Sequence, residues 1–155
     1  MRVAFVCPFF GEHAAGGAEF AARSVAQHLA ESGLDVDVLT TCLQDLPHGL
    51  TNNTHPPGDS RDGFLTVKRF KAETPDMAPF GMLNETIIDG GALSPREELQ
   101  FMSRHVNSEA LLRYIAEHED DYDWFCFLPY LFGTTCFGIR IAPEKSVIIP
   151  CLHDE

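Results

Sequence analysis

The first ten residues, Met1-Arg-Val-Ala-Phe-Val-Cys-Pro-Phe-Phe10, constrain the fold more than any other segment. Val3 onward is almost unbroken in apolar character and rich in Val and Phe, so an extended chain here has no face to offer water. Such a strand belongs near the centre of a sheet covered on both sides. The residues that follow supply a cover: after the loop Gly11–Gly16, the stretch from about Gly17 to Ser32 sets Ala18, Ala22, Val25 and Leu29 at helical spacing. Gly33 stands where a left-handed C-terminal cap is expected. Leu34–Cys42 then alternates, Val36 and Val38 against Asp35 and Asp37, and reads as a second strand.

Strand and helix continue to alternate, the pattern of a parallel sheet with helices on both faces. Gln44–Asp62 carries Pro47, Gly49, Asn52, Asn53, Pro56, Pro57 and Gly58, which predicts a long loop. Phe64–Phe70 reads as a third strand, and Pro75, Pro79, Gly81, Gly90 and Gly91 predict an irregular connection as far as Leu93. Ser94-Pro-Arg-Glu97 is a capping box with proline at the first helical position. A long helix is expected from there to about His118, with Leu99, Met102, Val106, Ala110 and Tyr114 along one side. Trp124–Leu128 and Ser146–Leu152 read as two further buried strands, with a short helix between Gly133 and Ile141. The expected fold is α/β, a Rossmann-like doubly wound, mostly parallel sheet of about five or more strands, with residues 1–155 as one domain.

A formal net charge of -12 repels nucleic-acid phosphates and anionic lipid headgroups, and no Lys/Arg cluster interrupts it. No apolar stretch approaches the roughly 20 residues of a membrane span. The chain opens directly on a strand with no small-residue cleavage site behind it, so the expected location is the cytoplasm. Cys7, Cys42, Cys126, Cys136 and Cys151 are odd in number, scattered and mostly set in apolar runs, as reduced thiols are.

In doubly wound folds ligands sit beyond the carboxyl ends of the strands, which directs attention to three loops. The first, Pro8 to Glu19, includes Glu12 and His13 and ends in Gly16-Gly17-Ala18-Glu19 at a helix start. Adjacent glycines there admit a diphosphate or sugar close to backbone N–H groups; equally, they serve tight packing, with Glu19 complementing the helix dipole. It is not the dinucleotide fingerprint, since G-x-G-x-x-G is absent. The second loop, Pro129–Thr135, offers Tyr130 and Thr134 to a hydroxyl-rich acceptor, although Thr134 and Thr135 also suit helix caps. The third, Pro150–Glu155, sets His153, Asp154 and Glu155 in a row at a strand mouth. Taken by itself, His153 is also what an ordinary surface histidine looks like. No C-x-x-C, H-E-x-x-H or G-x-S-x-G is present, so neither a metal nor a nucleophile cluster is expected. Asp120 and Asp121 lie in an acidic run of the kind that is usually a solvated face.

Taken in order, several short motifs resemble the N-terminal domain of family 4 glycosyltransferases, retaining enzymes of the GT-B fold. They are Gly16-Gly-Ala-Glu19, Thr40-Thr-Cys42, Pro57-Gly58 and Asp62-Gly63 leading to Val67-Lys-Arg-Phe70, Tyr122-Asp123, Pro129-Tyr-Leu131 and Ile149-Pro-Cys-Leu-His-Asp-Glu155. The resemblance implies an acceptor-binding domain facing a second domain, absent from these residues, that holds a nucleotide-diphosphate sugar. Transfer of a hexosyl group with retention to a glycan, lipid-linked or other acceptor follows. Gly16, Gly17, Ala18 and Glu19 are then placed at the donor diphosphate and acceptor; Glu12, His13, Tyr130, Thr134 and Asp154 at the acceptor; and His153 at the reaction centre. No cofactor or metal is implied, because backbone N–H groups stabilise the phosphate leaving group. The residues 1–155 alone are expected to be inert. Many relatives dock on membranes through a basic patch, which the net charge of this chain opposes. The rival reading is a non-catalytic Rossmann-like module that binds a nucleotide or sugar; a Rossmann oxidoreductase is opposed by the missing glycine fingerprint.

Overall fold

The computed structural model describes residues 1–12, 14 and 16–151. The elements in chain order are β1 (Arg2–Cys7), α1 (Gly17–Glu31), β2 (Asp35–Thr41), β3 (Gly58–Asp62), β4 (Leu65–Phe70) and α2 (Ala78–Ile88). They continue with α3 (Pro95–Arg104), α4 (Glu109–Glu117), β5 (Trp124–Phe127), α5 (Gly133–Gly138) and β6 (Ser146–Ile148). The strands form one sheet in the order β3-β4-β2-β1-β5-β6, parallel throughout except for the β3–β4 hairpin. The chain is thus α/β with a Rossmann-like sheet.

The apolar opening run sits where its composition demands. Val3, Phe5 and Cys7 of β1 face α1 and pack with Val36, Val38, Leu65, Val67, Ala22 and Ala26. Ala4 and Val6 face the other way, onto Leu39, Phe125, Phe127 and, from α4, Leu111 and Ile115. Period-two alternation in β1 therefore feeds two cores, one on each face of the sheet. Gly33, with φ 91, closes α1 in a Schellman motif: Leu34 N–H donates to Leu29 C=O and Gly33 N–H to Ala30 C=O.

The expected loop over Gln44–Asp62 contains a strand. β3 has the sequence Gly-Asp-Ser-Arg-Asp, with no apolar residue, and is largely exposed; it pairs antiparallel with β4 at the sheet edge. Its turn, Gly63-Phe64, has φ 59 at Gly63, the first loop position, where a two-residue hairpin of the II′ kind needs a positive φ. The expected irregular connection to Leu93 contains α2, with Pro79 in its first turn, where a missing N–H costs nothing. The strand expected over Ser146–Leu152 and read as buried is, among the described residues, the short edge strand β6, whose Val147 and Ile148 are exposed.

The predicted long helix is two helices. Its capping box is present, Ser94 Oγ accepting from Glu97 N–H and the Glu97 carboxylate accepting from Ser94 N–H at 2.8 Å. Helix α3 nevertheless ends at Arg104, and Val106 adopts φ 46. Ser108 then caps α4, its hydroxyl accepting from Leu111 N–H and donating to Lys71 C=O at 2.7 Å. Carbonyls freed by the break are used elsewhere: His105 C=O accepts from Gly133 N–H at 2.7 Å and Val106 C=O from Thr134 N–H at 3.1 Å. The inward residues also differ, since Leu99 is exposed while Phe101, Leu111 and Ile115 are buried. Replacing Ser94 with Ala should cost about 1 kcal/mol of stability and speed amide exchange in the first turn of α3. Unchanged exchange at the Glu97 amide would contradict a capping role.

Candidate functional site

The strand order reverses direction around β1: β2 and β4 lie on one side, β5 and β6 on the other. The carboxyl ends of β1 and β5 flank this switch point, where doubly wound folds open a crevice. Gly16 is the N-cap of α1 with φ 142, a backbone conformation that side chains avoid. Gly17 differs, because its φ is not positive and a Cβ built on it would meet nothing within 4 Å. Ala18 packs against the α1-side core. The Glu19 carboxylate folds back against Gly16 and accepts the Glu19 N–H; half-burial pushes its pKa up, that hydrogen bond lowers it, and the nearby charge of Asp45 adds a smaller upward push. It occupies the N-terminus of α1.

On the other side of the crevice, Tyr130 is partly exposed, and its N–H donates to Pro150 C=O, tying the loops after β5 and β6 together. Thr134 and Thr135 are not caps: Phe132 is the N-cap of α5, and both threonines lie inside the helix and are buried. The Thr135 hydroxyl donates to Pro129 C=O at 2.7 Å. The Thr134 hydroxyl is enclosed, so it is not presented to the cleft as a ligand contact. His13, His153 and Asp154 lie outside the described residues.

Beside the β1 loop, on its β2–β4 side, is a cavity of about 280 Å3 lined by Phe10, Gly11, Glu12, Ala14, Arg23, Gln44, His55, Ser60, Arg61, Asp62, Val67 and Arg69. Of the nominated residues that are described, only Glu12 belongs to it. Arg69 forms its inner wall, its Nη2 donating to Phe10 C=O at 2.8 Å and its Nη1 to Thr41 C=O at 3.5 Å. The Thr41 hydroxyl in turn donates to Pro8 C=O at 2.6 Å, so two side chains staple the β1 loop to the end of β2. Arg23 of α1, also in the lining, grips Asp62 of β3 with two bonds of 2.9 and 3.1 Å. Burial lowers the pKa of Arg69, and burial followed by the charge of Arg69 lowers that of His55, keeping the imidazole neutral.

The sequence carried one signal of this cavity. Leu65 and Val67 of β4 face the α1-side core, and Arg69 continues the same alternation, so a cation was placed at an inward position. Arg23, His55 and Arg61 had no comparable signal. No protein-family model matches this sequence. No curated protein matches it significantly.

Two other features are structural. The Cys7 thiol, pushed up to about 12 by burial, is no nucleophile. Asp37, buried toward the amino ends of the strands, accepts from Arg2 Nη2 at 2.8 Å and Tyr122 OH at 2.6 Å, far from the carboxyl edge. Among the described residues no helix is long and apolar enough to cross a membrane, and no group of three His, Cys, Asp or Glu side chains is placed to hold a metal ion.

Proposed function

We propose that this chain is the acceptor-side half of a retaining glycosyltransferase resembling family 4, which transfers a sugar from a nucleotide-diphosphate donor in the cytoplasm. The observation that carries the reading is Gly17. Gly16 is required by its φ, but no described residue requires glycine at 17, where an added Cβ would meet nothing within 4 Å among them. A glycine that packing does not need, at the start of a helix beside the switch point, fits a position kept bare for a ligand. In this reading the N–H groups at the start of α1 face the donor diphosphate, the leaving group, and favour its charge. Glu19 must swing off Gly16 when the diphosphate arrives. The reading also requires a donor-binding domain in addition to these residues, and it gives His153 the place beside the donor sugar.

The test uses the protein that joins this domain to a donor domain. Gly17→Ala should leave it equally stable or more so, by about 0.4–1 kcal/mol through the unfolded chain, while lowering sugar transfer at least tenfold. Sugar transfer that is absent from the intact protein, or unaffected by Gly17→Ala, would sink the proposal.

The folded-back Glu19 favours one alternative, a module that binds a neutral sugar without transferring it. Saturable sugar binding by an intact protein that transfers nothing is the result that would select it.

A further inference from the structure

The cavity beside the β1 loop has a chemistry the reading above leaves unused. Three of the chain's eleven Lys and Arg residues line it, in a protein of net charge -12. Arg23 is matched by Asp62, but among the described residues no carboxylate lies within 4 Å of the guanidinium of Arg69 or of Arg61. Arg69 is also held still: two of its donors are bonded to carbonyls of the β1 loop and of the end of β2, and the rest of its fork is free of them. A fixed guanidinium loses little side-chain freedom when it binds an oxyanion, and partial burial strengthens the attraction. Gln44 and Ser60 also line the cavity and can bond hydroxyl groups. At about 280 Å3 the cavity is just below the span of about 300 to 1,000 Å3 usual for ligand sites, so it suits one ring and not a chain.

We infer that this cavity binds a sugar carrying an oxyanion, carboxylate or phosphate, with Arg69 and Arg61 on the anionic group and Gln44 and Ser60 on the ring hydroxyls. Resting on the glycosyltransferase reading, the ligand is the acceptor, and the enzyme selects a charged acceptor sugar. The lining sets three arginines against two carboxylates, Glu12 and Asp62, so a bound oxyanion matches the one positive charge left over. The same bonds from Arg69 to Phe10 and Thr41 mean that an occupied cavity would stiffen the β1 loop, which leads into Gly16 and Gly17.

The chain is titrated with glucuronate, glucose 6-phosphate, inorganic phosphate and glucose, and its amide resonances are followed. Glucuronate and glucose 6-phosphate should saturate at millimolar concentration, shifting Gly11, Glu12, Arg61 and Arg69. Glucose should leave those amides unmoved, and inorganic phosphate should bind about tenfold more weakly than glucose 6-phosphate. Arg61→Gln, an exposed change that spares the fold, should weaken both charged sugars about tenfold. Arg69→Gln should abolish binding and Arg69→Lys restore part of it. Equal responses to glucose and glucuronate, phosphate binding as tight as glucose 6-phosphate, no response to any charged sugar, or an unaltered Arg61→Gln would each overturn the inference. Charged-sugar binding in a protein that transfers no sugar would overturn only the glycosyltransferase reading; transfer to a neutral acceptor with no charged-sugar binding would overturn only this one.

Discussion

Lowering the pH from about 7.5 to 4 should cost this fold about 3 kcal/mol at a single residue, His105, beyond whatever its carboxylates contribute. The ring follows the end of α3 and is 7% exposed. It is boxed by Phe132 at 4.6 Å, Phe80 at 5.1 Å and Phe101 at 5.5 Å between centroids. Its Nδ1 has no hydrogen-bond partner among the described residues. Burial pulls its pKa from the ordinary 6.5 down to about 4, and a hydrogen bond with the Leu131 backbone only partly opposes that. The unfolded chain therefore takes up a proton near pH 6.5 while the folded chain refuses it until about pH 4. Within that window the unfolded state holds more protons, so stability is complete above it and drains away as the pH falls.

Urea denaturation of wild type and His105→Phe at several pH values measures the effect. The Phe variant keeps the aromatic box but cannot titrate, so the difference in unfolding free energy between the two proteins should close and then reverse as the pH is lowered. At neutral pH the variant should be slightly the weaker, because the Leu131 backbone loses its partner. Glu97 works in the same direction, its pKa lowered chiefly by Ser94, but it titrates in both proteins and cancels from the comparison. Two curves that fall in parallel would mean that His105 is not the acid-sensitive group.

The box around His105 also shows where sequence reasoning runs out. Strand β1, helix α1 with its Gly33 ending, and the start of α3 were legible because each is announced by neighbouring residues: an apolar run, a helical period, a capping box. Strand β3 was not, because Gly-Asp-Ser-Arg-Asp has no apolar residue and is held by its ladder to β4 and by the Arg23–Asp62 pair. The α3–α4 break was hidden because apolar residues continue at helical spacing across it, while Ser108 acts as a cap only once Lys71 C=O is placed beside it. The candidate site divides along the same line. The glycines at 16 and 17 stand out in the chain, but the cavity brings together Phe10, Arg23, His55, Arg61 and Arg69 from four separate segments, and only the inward register of Arg69 betrayed it.

Gly133→Ala should be the most damaging of the conservative glycine replacements, costing about 3 kcal/mol. A Cβ at 133 would lie 2.6 Å from Met102 C=O and 3.2 Å from both Val106 C=O and the Asn107 Cβ. Two of these are backbone atoms at the α3–α4 break, which cannot rotate aside as a side-chain end can. Nor can Gly133 retreat, since its N–H donates to His105 C=O at 2.7 Å and the next N–H to Val106 C=O. Relief must come from separating α5 from the break, which loses those hydrogen bonds and opens the ring contact between Phe132 and His105. Gly138→Ala meets the Phe127 ring at 2.5 Å instead, and a ring can tilt where a carbonyl cannot, so its cost should be smaller. Gly17→Ala meets nothing among the described residues and serves as the control. In urea the expected order of midpoints is Gly17→Ala highest, then wild type, Gly138→Ala and Gly133→Ala, with similar m values throughout. A Gly133→Ala midpoint level with wild type would show that the contact between α5 and the α3–α4 break is loose, and the apolar box that keeps His105 neutral would lose its physical basis with it.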